Sequence, residues 1–172
     1  LSIIIPIFNE KNTLLKLLSL IEKETDISKQ LILVDDHSTD NSLELIKKYN
    51  FKSDYKILSH DFNKGKGACI KTAKSFIYGD IVLIQDADLE YSPKDYKKLL
   101  QPILSNETNV VYGSRVMGKN RYKNKQFTSI LRIFFNHILT ITSNIINKQN
   151  LTDAHTCYKV FEYKTFNKIK LI

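Results

Sequence analysis

Short apolar runs alternate with helical periodicities along this chain. Ser2-Ile3-Ile4-Ile5-Pro6 is unbroken by charge, the pattern of a strand buried on both faces. From Thr13 to Lys23 the apolar positions Leu14, Leu17, Leu18 and Ile21 recur at helical spacing, with Asn12 as the expected cap. Gln30-Leu31-Ile32-Leu33-Val34 is a second buried run, closed by Asp35-Asp36, and Asp40 is expected to cap a helix reaching about Tyr49. Tyr55 to Ser59 reads as a third strand, Gly67 to Tyr78 as a helix and Asp80 to Gln85 as a fourth strand. Pro93 suits the first turn of a helix running to about Leu104, and Asn109 to Tyr112 makes a fifth strand. Strands and helices alternating in this way predict an α/β fold, a mainly parallel sheet with helices on both faces. Ligands of such sheets bind beyond the carboxyl ends of the strands. That gives weight to Asn9-Glu10, Asp35-Asp36, Asp86-Ala87-Asp88 and Gly113-Ser114-Arg115.

With 172 residues, 42% hydrophobic and 26% charged, the chain has one core's worth of globular sequence, which excludes disorder, collagen and coiled coil. Residues 1–172 therefore read as a single domain. Cys69 and Cys157 are isolated and in no metal-ligand spacing; they read as small buried residues in a reducing compartment. Charge adds an asymmetry. Residues 1–114 carry 15 Lys and Arg against 16 Asp and Glu, whereas residues 115–172 carry 11 against 2. A one-sided positive field suits phosphates, nucleic acid or an anionic lipid surface, and also arises from compositional drift toward Lys, Asn and Ile.

No basic run precedes the apolar opening, so it does not read as a targeting signal. The chain opens inside a strand without an initiator Met, as a domain trimmed at its ends would. Its greasiest stretch, Phe127 to Ile146, contains Arg132, Asn136, His137 and Asn144. It is too polar for a spanning helix of about 20 mostly apolar residues, which leaves a membrane surface or the core as its place.

The sharpest chemical pattern is Asp86-Ala87-Asp88-Leu89-Glu90, three carboxylates at alternate positions after a buried strand. In an extended segment they face one side and repel, unless a hard cation such as Mg²⁺ or Mn²⁺ joins them or they stand solvated in a turn. Asp36, after the second strand, could bond a ribose or base edge, while His37 reads as a surface loop residue. Asn63-Lys64-Gly65-Lys66-Gly67-Ala68 leads into a helix and could meet an anion, but it fails the spacing of a P-loop.

In order along the chain, SIIIPIFNE, ILVDDHSTDNS, NKGKGACIKTA, GDIVLIQDADLEYSP, VVYGSR and TDAHTCYKVF together resemble the family 2 glycosyltransferases of GT-A, Rossmann-like fold. The resemblance is to the branch that charges polyprenyl phosphates, with dolichol-phosphate mannosyltransferase among its members. It implies that Pro6, Phe8 and Glu10 line a nucleotide-sugar pocket, Phe8 standing where the family usually has Tyr. Val34, Asp36 and Lys66 would join them around the nucleoside. Asp86, Ala87 and Asp88 would meet the diphosphate, with Asp86, Asp88 and Glu90 holding Mg²⁺ or Mn²⁺; some relatives have Gln at Glu90. Arg115 would act in catalysis and, with Arg132 and Asn136, on the acceptor phosphate. Asp153 and Lys159 would be further site-forming residues.

The implied reaction is inverting transfer of a hexose, from a donor of GDP-mannose or UDP-glucose type, to a polyprenyl phosphate. The expected partners are those two substrates and, by peripheral contact, the cytoplasmic face of a membrane, with no nucleic acid. Two alternatives stay open. A saccharide hydroxyl as acceptor would need a carboxylate base, for which Asp153 is the candidate. A nucleotide-sugar-binding domain without catalysis is the other.

Overall fold

The computed structural model describes residues 1–114, 127–154 and 156–170, with backbone alone over 127–134. Six strands form one sheet in the order β3-β2-β1-β4-β6-β5. They are β1 (Ser2–Ile7), β2 (Gln30–Asp35), β3 (Asp54–Ser59), β4 (Ile81–Ile84), β5 (Val110–Tyr112) and β6 (Lys159–Glu162). β1 is parallel to both β2 and β4, and β2 to β3. β5 and β6 run antiparallel, since Gly113 donates to Tyr158 while Glu162 donates to Asn109.

Over β1, β2 and β4 both faces of the sheet are buried, as the continuous apolar runs require. Ile4, Ile32, Val34, Val82 and Ile84 pack on one face with Cys69 and Ala73 of α3 (Lys66–Ala73) and Phe166 of α6 (Tyr163–Lys168). The alternate residues Ile3, Ile5, Leu31, Leu33 and Leu83 are equally buried. So are Leu14, Leu17, Leu18 and Ile21, the inward stripe of α1 (Leu14–Glu22), and Ile46 of α2 (Ser42–Lys48). Each such side chain removed from water contributes about 1.5–3 kcal/mol.

Element ends depart from expectation where a specific bond competes. Asn12 does not cap α1; the Glu10 carbonyl accepts the amides of Thr13 and Leu14, and the Thr13 hydroxyl turns to the Glu10 carboxylate at 2.6 Å. Asp40 does accept the Ser42 amide at the start of α2, and its other oxygen takes the amide of Lys11. The helix at Gly67 begins one residue earlier and tightens to a 3₁₀ turn over Lys74–Phe76. Pro93 opens a 3₁₀ turn, Pro93–Asp95, that leads into α4 (Tyr96–Leu104). β6 and α6 had no strong periodic signal, being short and formed against the rest of the sheet.

Pro6 lies in a central strand, a position that ordinarily demands a ladder donor. β1 pairs with β4 only as far as Ile4↔Ile84, and Gln85 closes that ladder by donating to the Ile4 carbonyl. Pro6, on the same pleat two residues on, points past the end of β4, so its missing N–H leaves nothing unpaired.

At the amino end, Gly79 donates to the Ser2 hydroxyl at 2.9 Å, and a Cβ there would stand 2.8 Å from the Ser2 amide nitrogen. Gly79→Ala is therefore expected to destabilise the fold by about 1–3 kcal/mol through overpacking against backbone. Chemical denaturation checks it, with a drop in midpoint and an unchanged slope.

The chain divides into two compact units, Leu1–Val111 with Val160–Ile172, and Tyr112–Lys159. The second is built around α5 (Phe127–Asn147), tied to the following loop by Asn144, which bonds the Leu151 backbone at both amide and carbonyl. Phe135, Ile138, Leu139, Ile141, Ile145 and Ile146 of α5 are exposed, yet no described helix is long and apolar enough to cross a membrane.

Candidate active site

Strand order reverses between β1 and β4: the chain goes from β1 outward to β2 and β3, then returns to β4 on the other side. Crevices at such switch points are where open α/β sheets bind ligands. A cleft of about 250 Å³ opens there, lined by Pro6, Ile7, Phe8, Glu10, Asp36, Lys66, Cys69, Asp86, Ala87 and Asp88.

Its first wall is the loop after β1. Asn9 adopts φ 58°, a region Asn tolerates, and its side-chain oxygen accepts the Thr39 amide at 2.8 Å. The amides of Asn9, Glu10 and Lys11 are taken by Ser38, Ser42 and Asp40 respectively. The loops after β1 and β2 are thereby cross-braced. Phe8 is left 48% exposed on the rim, a flat apolar face with no core to fill.

Asp36 is buried, and its oxygens accept from His60 Nδ1 at 2.7 Å, the Lys64 amide at 2.9 Å and the Gly65 amide at 2.7 Å. Burial opposes ionisation, but these donors outweigh it and hold the carboxyl below its ordinary range. Gly65 has φ +85°, which lets the loop turn into α3 and deliver Lys66 to the cleft, where its ammonium pairs with Asp86. Cys69 lies beneath; burial first, then the charges of Asp36 and Asp35, push its thiol up to about 12. Asp36, His60 and Cys69 bring potential ligand atoms within 4.8 Å. With the thiol protonated and the His60 ring nitrogens engaged by Asp36 and Thr72, the group is chemically a hydrogen-bonded cluster.

β4 ends at Ile84, and the turn that follows is held from below. The Tyr96 hydroxyl donates to Gln85 Oε1, and Gln85 Nε2 donates to the Asp86 carbonyl, both at 2.8 Å. Asp86 and Asp88 enter the cleft on either side of buried Ala87. The segment does not stay extended: Leu89 takes φ 62°, uncommon for a branched side chain, and Asp88 Oδ1 accepts the Glu90 amide at 2.9 Å. That turn breaks the alternation that would have aligned three carboxylates. Glu90 is exposed and does not line the cleft.

Of the residues expected around a nucleotide sugar, all but Val34 line this one cleft. Val34 sits two positions before Asp36 on the same face, one pleat deeper, wholly inside the core. Ile7 and His60 carry no signal in the sequence, and Cys69 only that of a small buried residue; the Asp36–His60 contact needs β2 and β3 side by side, which no local pattern specifies. Arg115 and the Arg132 side chain lie outside the described residues. In the second unit Asn136 is half-buried, and its carbonyl accepts the Thr140 hydroxyl. Asp153 is buried, and Lys159 stands 5.7 Å over the Tyr112 ring.

Residues 2–170 match the family model described as glycosyl transferase family 2. The dolichol-phosphate mannosyltransferase of Pyrococcus furiosus is 28% identical over 127 residues, 73% of this chain and 36% of that protein. A UDP-N-acetylglucosamine–dolichyl-phosphate N-acetylglucosaminyltransferase of Methanococcus voltae is 28% identical over 142 residues, 73% of this chain and 56% of its own. The chain thus spans between about a third and two thirds of the curated relatives it matches. Among solved structures, glucosyl-3-phosphoglycerate synthase of Mycobacterium tuberculosis in complex with Mn²⁺ and UDP-glucose superposes with a TM-score of 0.71. At 18% identity over 98% of this chain and 57% of that one, it shares the fold.

Proposed function

Because the chain belongs to glycosyl transferase family 2, we propose that it transfers a hexose from a nucleotide diphosphate sugar to a polyprenyl phosphate, inverting the anomeric carbon. The observation that carries this reading is the convergence of Asp36, Lys66, Asp86 and Asp88 in one cleft at the switch point of the sheet. Relatives named for transfer to dolichyl phosphate support the acceptor class. The family match runs through both compact units, which supports taking residues 1–172 as one catalytic domain.

Phe8 offers a stacking face for the base or sugar, and Asp36 an acceptor edge for the nucleoside. Lys66, already drawn to Asp86, marks this corner as one that attracts positive charge. Two carboxylates with hard oxygen donors fit Mg²⁺ or Mn²⁺, and a Mn²⁺ complex of a protein sharing the fold agrees. Asp86 and Asp88 would hold the ion, which when bound supplies neutralisation of the leaving diphosphate. Glu90, turned out of the cleft by Leu89, adds charge nearby rather than a third ligand.

The acceptor brings its own nucleophile. A phosphate monoester has a second pKa near 6 and is largely ionised at neutral pH, so its oxygen attacks C1 without a general base. The bond from that oxygen to C1 forms as the bond from C1 to the diphosphate breaks. The protein's task is to bring two anions together, and Arg115, Arg132 and Asn136 are assigned to the acceptor phosphate, with Asp153 and Lys159 as further site-forming residues. The exposed apolar side chains of α5, within a basic third of the sequence, suit peripheral contact with the cytoplasmic face of a membrane that holds this lipid.

The test is transfer from labelled GDP-mannose, UDP-glucose and UDP-N-acetylglucosamine, with Mn²⁺, to a polyprenyl phosphate in anionic vesicles or to a free saccharide. Label in the lipid from one donor is expected. Label only on the saccharide would move the reaction to a hydroxyl acceptor, and nucleotide-sugar binding without transfer to either would leave a binding domain.

A further inference from the structure

His60 lies outside every motif above and does not line the cleft, yet it is 8% exposed and bonded at both ring nitrogens. Its Nδ1 faces Asp36 Oδ1 at 2.7 Å and its Nε2 faces the Thr72 hydroxyl at 2.9 Å. An ionised carboxylate only accepts, so Nδ1 donates to Asp36, while Nε2 bonds the Thr72 hydroxyl. One side chain thus joins the end of β2, the end of β3 and the middle of α3. The same Asp36 carboxylate accepts the amides of Lys64 and Gly65, the two residues before Lys66.

We propose that His60 is a positioning residue: by donating to Asp36 it fixes the carboxylate that holds the Lys64–Gly65 loop, and so sets how Lys66 and Asp36 face the cleft. A carboxylate rotating freely about its Cβ–Cγ bond could not satisfy two consecutive amides and also present a constant edge to a ligand. His60 occupies the direction that selects one rotamer, and Thr72 keeps the ring in plane. The consequence for nucleotide affinity rests on the reading of the cleft given above. The anchoring of the loop does not.

Two readouts separate these. Binding of UDP and GDP with Mn²⁺ is measured by calorimetry, and exchange of the Lys64 and Gly65 amide hydrogens by NMR, for wild type, His60→Leu and His60→Asn. Leucine fills the volume without a donor; asparagine places an N–H near the position of Nδ1. The expected result is weaker nucleotide binding by about tenfold in His60→Leu, the scale of one hydrogen bond to a charged group. Amide exchange should quicken by a similar factor, with both properties restored toward wild type in His60→Asn. A merely space-filling histidine predicts the opposite order, and wild-type binding and exchange in His60→Leu would overturn the proposal. Should that variant not fold, Thr72→Val removes only the bond that orients the ring: quicker exchange at Lys64 and Gly65 supports the proposal and unchanged exchange refutes it. A wild type that binds neither nucleotide sinks the nucleotide-sugar reading, and amide exchange alone then decides the role of His60.

Discussion

Replacing Asp88 with asparagine is expected to reduce glycosyl transfer by about 10²- to 10³-fold while leaving the melting temperature unchanged. The side chain stands exposed at the mouth of the cleft, so its charge contributes little to folding. The bond it accepts from the Glu90 amide through Oδ1 is kept by the asparagine carbonyl. What is lost is half of the negative charge offered to a divalent ion. Mn²⁺ should therefore cease to raise the melting temperature of the variant in the presence of nucleotide, and EDTA should reproduce the loss of turnover in wild type. Glu90→Gln should change transfer little, because that carboxylate lies outside the cleft. Wild-type turnover by the Asp88 variant would remove the metal assignment.

Replacing Asp36 with alanine is expected to damage folding as well as binding. Three donors converge on that carboxylate, and truncation leaves the His60 ring N–H and the amides of Lys64 and Gly65 without an acceptor. A loss of about 3 kcal/mol follows, a drop of roughly 10 °C in melting temperature for a chain of this size. The effect has a pH signature. Since the carboxyl is held below its ordinary value, the folded state binds fewer protons than the unfolded state around pH 4. The stability it contributes is fully present above the unfolded pKa and is lost as pH falls through the folded one. Wild type should destabilise steeply below about pH 4, and Asp36→Ala less steeply, by urea melts across that range. Buried Glu22 adds to the wild-type slope in the same direction: burial opposes its ionisation, but Ser53 and the Lys52 amide hold its carboxyl low. A variant with unchanged melting temperature and pH slope would refute the assigned role of this network.

How much of the site was legible depended on whether neighbours in space were neighbours in the chain. Asp86 and Asp88 announce themselves, because both follow one buried strand and two residues set their relation. Glu90 shows where that logic stops: alternation implies a shared face only while the backbone stays extended, and Leu89 at φ 62° ends it. Val34 shows the converse, since a strand pleat carries residue 34 into the core while Asp36, on the same face, reaches the cleft. His60 was invisible for a different reason. Its partners come from the loop after β2 and from α3, 24 and 12 residues away, and nothing in Ser59-His60-Asp61 signals that a carboxylate waits beyond the neighbouring strand.

By itself the amino-acid sequence determined the class of architecture, the order of the first five strands along the chain and the acidic and glycine-bearing loops at their ends. Those features follow from local energetics: apolar runs must leave water, and turns need residues that tolerate them. The tertiary structure alone decided that β1 outlasts β4 and leaves Pro6 at an open edge, that β6 enters between β4 and β5, and that one carboxylate gathers a histidine and two amides. These outcomes depend on strand order and register. Both arise when distant segments compete for the same hydrogen-bonding edge, a contest that short-range pattern does not record.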